Sequence, residues 1–131
     1  RIFVLKPKNL KEQRKFLENL LKFDDLSLVI VDTIGSHYRK EFKKDIYGTN
    51  LALEKQIRLL KELSKHVPVI LTNQVYTDIK RNEISIIGKK VIEPWCGKII
   101  ELKKDPRTIV IKKPESKQAY FEIVEKGITL L

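Results

Sequence analysis

"LSLVIVDTIGSHYRKEF" spans residues 26–42, and its first half decides the fold. Leu28, Val29, Ile30 and Val31 are apolar at every position. They lack the alternation of a strand with one face in water. Such a run predicts a parallel strand covered on both faces. It ends on Asp32 and Thr33. A carboxylate at the end of a buried strand calls for a partner, because burying an unpaired charge is costly.

A second strand of the same type lies downstream. Val67-Pro68-Val69-Ile70-Leu71 carries its proline near the start, where a missing N–H is tolerated, and also ends on polar groups, Thr72-Asn73-Gln74. Between the two, residues 35–48 are polar and basic and read as a loop bounded by Gly35 and Gly48. A helix is predicted from Thr49 or Asn50, with Leu53, Ile57, Leu60 and Leu63 or Ser64 as its inner stripe. Upstream, Ile2–Leu5 predicts a short buried strand stopped by Pro7. Asn9 and Glu12 have capping-box spacing, and Leu10, Leu17, Leu20 and Leu21 predict an amphipathic helix over 10–23. Strand, helix, strand, helix, strand is the order of right-handed βαβ units, so the fold class is α/β with a parallel sheet and flanking helices.

The second half departs from that order. Residues 76–92 have no clear period and read as a long connection. Segments 98–103, 107–113 and 119–124 predict strands, with turns at Asp105-Pro106 and Pro114-Glu115-Ser116. They form an antiparallel meander appended to the parallel sheet.

The 131 residues suit one domain, 1–131, with a real core. The net charge of +10 favours a polyanionic partner, most often nucleic acid. No apolar run approaches the ~20 residues of a membrane span, and the first residues lack the charged start, apolar stretch and small-residue cleavage site of a signal peptide, so none is expected. The one cysteine, Cys96, rules out an internal disulfide and suits a reducing cytoplasm. The chain starts at Arg1, contains no methionine and enters "RIFVL" at once, so it is expected to be a piece of a longer protein. His37 and His66 have no second ligand at metal spacing. Trp95 reads as a core aromatic before a strand, and Cys96 as a packed thiol.

Open α/β sheets bind ligands beyond the carboxyl ends of their strands. If the two apolar strands are neighbours, Asp32-Thr33 and Thr72-Asn73-Gln74 sit side by side at one edge. A carboxylate there can hold a hydrated Mg²⁺, and an amide there can respond to a terminal phosphate.

Four apolar residues ending in aspartate resemble the Walker B strand of P-loop ATPases. "VDTIGSHYR", a basic stretch, a helix and then "VPVILTNQV" resemble the ATPase core of the RecA/RadA recombinase family, and "TIVIKKPESKQAYFEIVEKGI" resembles that family's late strands. The likeness runs in order through residues 1–131. Its compactness and the basic insert before Trp95 are most similar to the archaeal RadB branch. The implied fold is the C-terminal portion of a RecA-like P-loop NTPase core, from Walker B onward. The implied function is ATP-dependent DNA binding in homologous recombination and repair, with feeble ATPase in the full protein.

The resemblance assigns residues by position. Asp32, with Thr33 beside it, would hold Mg²⁺ through water and so bind ATP. Gln74 would sense the γ-phosphate as the catalytic-site residue. Arg39, Lys40, Lys43 and Lys44 would lie in a first DNA-facing loop, and Lys80, Arg81, Lys89 and Lys90 in a second. Lys112 and Lys113 would reach nucleotide bound by a neighbouring subunit. DNA, single-stranded or branched, and other recombination proteins are the implied partners. The departure is the phosphate cradle: none of Gly35, Gly48, Gly88, Gly97 or Gly127 opens a G-x-x-x-x-G-K-[ST] motif. This chain alone is therefore expected not to hydrolyse ATP. Two rivals stand beside this reading, an ATPase-inactive module that binds DNA or protein, and another RecA-fold ATPase of helicase or clock type.

Overall fold

The computed structural model describes residues 1–131 and divides them into two compact units, Arg1–Trp95 and Cys96–Leu131. In the first unit, helix α1 covers Leu10–Leu20. Asn9 caps it by accepting the Glu12 N–H at 2.8 Å, and the Glu12 carboxylate accepts the Lys8 N–H at 2.5 Å. The reciprocal bond of a capping box thus lands one residue early. α1 ends before residue 23 because Lys22 and Phe23 donate to Asn19 and Leu20, three residues back, and tighten the final turn.

Strand β1 (Val29–Val31) pairs in parallel with β2 (Val69–Leu71), placing Val29 opposite Val69 and Val31 opposite Leu71. The two apolar runs are neighbours, which meets the condition for their polar ends to share one edge. Coverage on both faces does not hold in this chain. Val29 packs with Leu63 and Val67, flanked by Leu20, Leu26 and Val31, while Ile30 is 57% and Ile70 50% exposed on the opposite face. Ile2–Leu5 is not a strand either. These residues form no ladder, and their side chains are exposed. A strand exists only through paired N–H and C=O groups, and β1 is laddered to β2 alone.

Residues 35–48 are not a loop. Ser36–Phe42 forms helix α2, because Tyr38 is buried and stacks on Phe42 four residues on, ring centres 5.2 Å apart. Helix α3 then runs Ile46–Leu63, starting earlier than expected because Asp45 caps it by accepting the Gly48 N–H at 2.9 Å. Its inner stripe is the predicted one: Leu53, Ile57, Leu60 and Leu63 are buried, and Ser64 is not. Gln56, fully buried beside them, donates to the Leu10 carbonyl and accepts from Gln13, both at 2.8 Å. Those bonds satisfy its amide and fix α1 to α3.

Residues 76–92 also have more order than expected. β3 (Val75–Asp78) and β4 (Glu83–Ile86) form an antiparallel hairpin, followed by the short helix α4 (Lys89–Ile92) and a 3₁₀ turn over Glu93–Trp95. Gly88 opens α4 at φ 69°, a left-handed conformation that glycine adopts without penalty. A Cβ there would also stand 2.9 Å from Leu53.

The second unit is a sheet of its own, with strands β5 (Ile99–Lys103), β6 (Thr108–Lys113), β7 (Lys117–Val124) and β8 (Gly127–Leu130) in that order. The three predicted strands are present, and β8 is a fourth. Within this unit only Thr108 and Phe121 are buried.

Candidate functional site

Parallel pairing of β1 with β2 brings the two polar strand ends together. The Thr72 hydroxyl donates to Asp32 Oδ1 at 2.5 Å, and the Asp32 side chain otherwise stays exposed. The strands remain tied past their ends, since Thr72 N–H donates to the Val31 carbonyl and Ile34 N–H to the Thr72 carbonyl. Ile34, fully buried, anchors the turn that follows Asp32. Thr33 Oγ1 is buried there with no hydrogen-bond partner.

This donor set can be tested against Mg²⁺ and nucleotide. No group of three or more His, Cys, Asp or Glu gathers anywhere in the chain, so an all-protein cage of carboxylates is not built here. One accessible carboxylate bonded to the Thr72 hydroxyl instead fits a hydrated Mg²⁺, which keeps most of its waters. The residues therefore fit the cation side of such a site. The sequence supplies no phosphate cradle for the other side.

Gln74 lies at the same edge, three residues past β2, with its side chain exposed. Its backbone is fixed on both sides: its N–H donates to Asn73 Oδ1 at 3.0 Å, and its carbonyl accepts from Ile87 N–H at 3.3 Å. The hairpin therefore grows directly from the residue at the strand end. At its tip, Asp78 Oδ1 accepts the N–H groups of Lys80 at 3.0 Å and Arg81 at 3.3 Å, and Asn82 completes the turn at φ 51°. Ile79, 91% exposed, stands beside the two cations.

The other basic residues divide by element. Arg39 and Lys40 are exposed in the last turn of α2, and Lys43 and Lys44 follow it. Lys89 and Lys90 open α4. None of the eight side chains from Arg39 to Lys90 assigned to the two DNA-facing segments forms a salt bridge. The nearby carboxylates have other roles: Glu41 accepts the Leu10 N–H at 3.1 Å, and Asp45 caps α3. Tyr38 donates to Asn50 Oδ1 at 2.7 Å, and burial, with Tyr76 of the hairpin nearby, pushes its phenol above the usual range. Lys112 and Lys113 lie in the second unit. Lys112 pairs with Glu101 at 2.8 Å within its own sheet, so its charge is already engaged there.

Sequence reasoning placed Asp32 and Gln74 at one edge but missed what joins them. Thr72 binds Asp32, and Asn73 binds the base of the hairpin. Both stand in "TNQ", where a run of short hydrogen-bonding side chains at a strand end was the available signal.

Comparison with known proteins agrees with this architecture. The Rad51 family model matches residues 4–128. The DNA repair and recombination protein RadB of Thermococcus sibiricus is 36% identical, over 90% of this chain and 56% of its own length. That of Thermococcus kodakarensis is 32% identical, over 98% and 63%. A crystal structure of the RadB recombinase superposes with a TM-score of 0.72 at 31% identity, covering 95% of this chain and 61% of the other. The chain thus spans less than two thirds of the length of these relatives. A Walker B-like strand end, an adjacent strand ending in "TNQV" and a family match across nearly the whole chain together place this protein in the Rad51 family.

Proposed function

We propose that this chain is the nucleotide-responsive, DNA-binding portion of a cytoplasmic DNA repair and recombination protein of the RadB type. One observation carries the proposal. Asp32 and Gln74 end adjacent parallel strands, and the hairpin with unpaired Lys80 and Arg81 starts at Gln74. A site for a phosphate-bearing ligand and a cationic surface are thereby joined by a few residues of backbone.

The proposed roles follow from the groups present. Asp32 would hold a hydrated Mg²⁺ through water, with the Thr72 hydroxyl bonded to its carboxylate and Thr33 next to it in the chain. Magnesium nucleotide, when bound, supplies the terminal phosphate whose presence is the signal. Gln74 orients its exposed amide toward that position, and its backbone passes the change to the hairpin. Lys80 and Arg81, with Lys89, Lys90 and the α2 cations, neutralise DNA phosphates and release counterions, which gives affinity without base readout. A segment whose placement depends on a terminal phosphate is a recurrent switch in nucleotide-binding proteins. The chain on its own does not hydrolyse ATP, because it carries no phosphate cradle.

The test is Gln74→Ala in the natural full-length protein, with single-stranded DNA affinity measured with and without Mg²⁺ and a non-hydrolysable ATP analogue. The unaltered protein is expected to change DNA affinity with the analogue, and the variant to lose that dependence. Equal dependence in both rejects the sensor role. A module that binds DNA without regard to nucleotide is the second reading, and it predicts no dependence in either protein.

A further inference from the structure

Asn73 has more contacts than a strand-end amide requires. Its Nδ2 donates to the Ile87 carbonyl at 2.6 Å, and its Oδ1 accepts the Gln74 N–H at 3.0 Å. The same oxygen lies against Gly35, where a Cβ would fall 2.5 Å away, with Ile87 Cγ2 at 3.1 Å from that point. One half-buried carboxamide therefore touches the end of β2, the return of the hairpin and the turn after Asp32. The remaining bond across the hairpin base, Ile87 N–H to the Gln74 carbonyl, is long at 3.3 Å. The charged tip stands four strand residues away, on the order of 13 Å at strand rise, so a small rotation at the base becomes a large displacement of Lys80 and Arg81.

We propose that Asn73 is a positioning residue that locks the base of the β3–β4 hairpin to the Asp32 edge at Gly35. In that role it converts a change at Gln74 into a defined placement of Lys80 and Arg81. The inference rests on the nucleotide-responsive reading above and adds the residue that transmits the response. Gly35 is the matching half of the lock, since only a residue without a side chain lets the carboxamide approach so closely.

The experiment uses the full-length protein and three variants, Asn73→Ala, Asn73→Asp and Gly35→Ala. Hydrogen exchange is followed over residues 75–78 and 83–86. Affinity for a fluorescent oligothymidine is measured with and without Mg²⁺ and a non-hydrolysable ATP analogue. In the unaltered protein the two affinities are expected to differ at least about fivefold, a usual size for coupled sites. In Asn73→Ala the ratio falls to about one and hairpin exchange accelerates, while affinity for the analogue itself changes less than about twofold. Asn73→Asp, which keeps the acceptor for Gln74 N–H but loses the donor to Ile87, falls between. Gly35→Ala reproduces the loss of coupling. Faster exchange with an unchanged ratio overturns the proposal, because Asn73 would then only stabilise the hairpin. A ratio of one already in the unaltered protein removes the nucleotide reading and this inference with it, whereas an unchanged ratio in Asn73→Ala alone removes only the inference.

Discussion

Arg39, Lys40, Lys43 and Lys44 ride on α2 or its C-terminal turn, whereas Lys80 and Arg81 stand at the far tip of a hairpin. Both groups are exposed and free of salt bridges, so charge alone does not separate them. Their supports do. α2 is pinned by buried Tyr38, by its bond to Asn50 and by packing on α3. The hairpin has Asn73, one long backbone bond and the Asx turn at Asp78. The α2 group is thus a fixed electrostatic platform. The hairpin group is a cationic finger whose direction depends on the strand edge from which it springs.

Removing the support common to both tests the comparison most severely. Leu53 is fully buried and touches the hairpin-to-α4 junction at Gly88. Leu53→Ala should destabilise the fold by ~2–5 kcal/mol, read by thermal or urea unfolding, and should weaken both basic groups together. A loss below about 1 kcal/mol would show that α3 is not their shared base.

Charge removal then separates the groups. Lys80→Ala with Arg81→Ala should lower single-stranded DNA affinity on the order of tenfold near physiological salt, with stability almost unchanged. Arg39→Ala with Lys40→Ala should cost only about two- to fivefold, because a platform contributes mainly through its general field. Fluorescence anisotropy reads both. Equal losses would erase the distinction between finger and platform.

The smallest effect concerns the pin in α2. Burial and the nearby Tyr76 raise the Tyr38 phenol. A raised value means that the folded state holds its proton more tightly than the unfolded chain does. That contribution is present below pH 10, the ordinary tyrosine value, and is lost as pH rises through the higher folded value. Tyr38→Phe should cost about 1 kcal/mol at neutral pH through the bond to Asn50, and should flatten the alkaline fall in stability above pH 10. An identical alkaline profile in the variant would deny Tyr38 this role.

The parallel pair was legible because continuous apolar runs have few alternatives, and the polar residues closing each run marked one edge. Asp32 and Gln74 followed from that topology. α2 was not legible as a helix because only Tyr38 and Phe42 mark its buried side, and two aromatics four apart are a thin signal among so many charges. The hairpin was obscured for another reason. Its turn is closed by Asp78 and Asn82 without glycine or proline, so the usual punctuation was absent. Ile2–Leu5 failed in the opposite direction. Its composition suits a strand, but composition cannot provide a partner, and β1 is laddered only to β2. The pairing of Lys112 with Glu101 was not legible, because its partner lies on the neighbouring strand rather than nearby in sequence.

Under the proposed function the hairpin tip meets DNA phosphates. The direct measurement is the slope of log affinity against log salt for a single-stranded oligonucleotide, in the unaltered protein and in the Lys80→Ala, Arg81→Ala double variant. Loss of two phosphate contacts predicts a slope shallower by about 1.4. An unchanged slope would contradict the account, because it would mean that neither cation releases counterions when DNA binds.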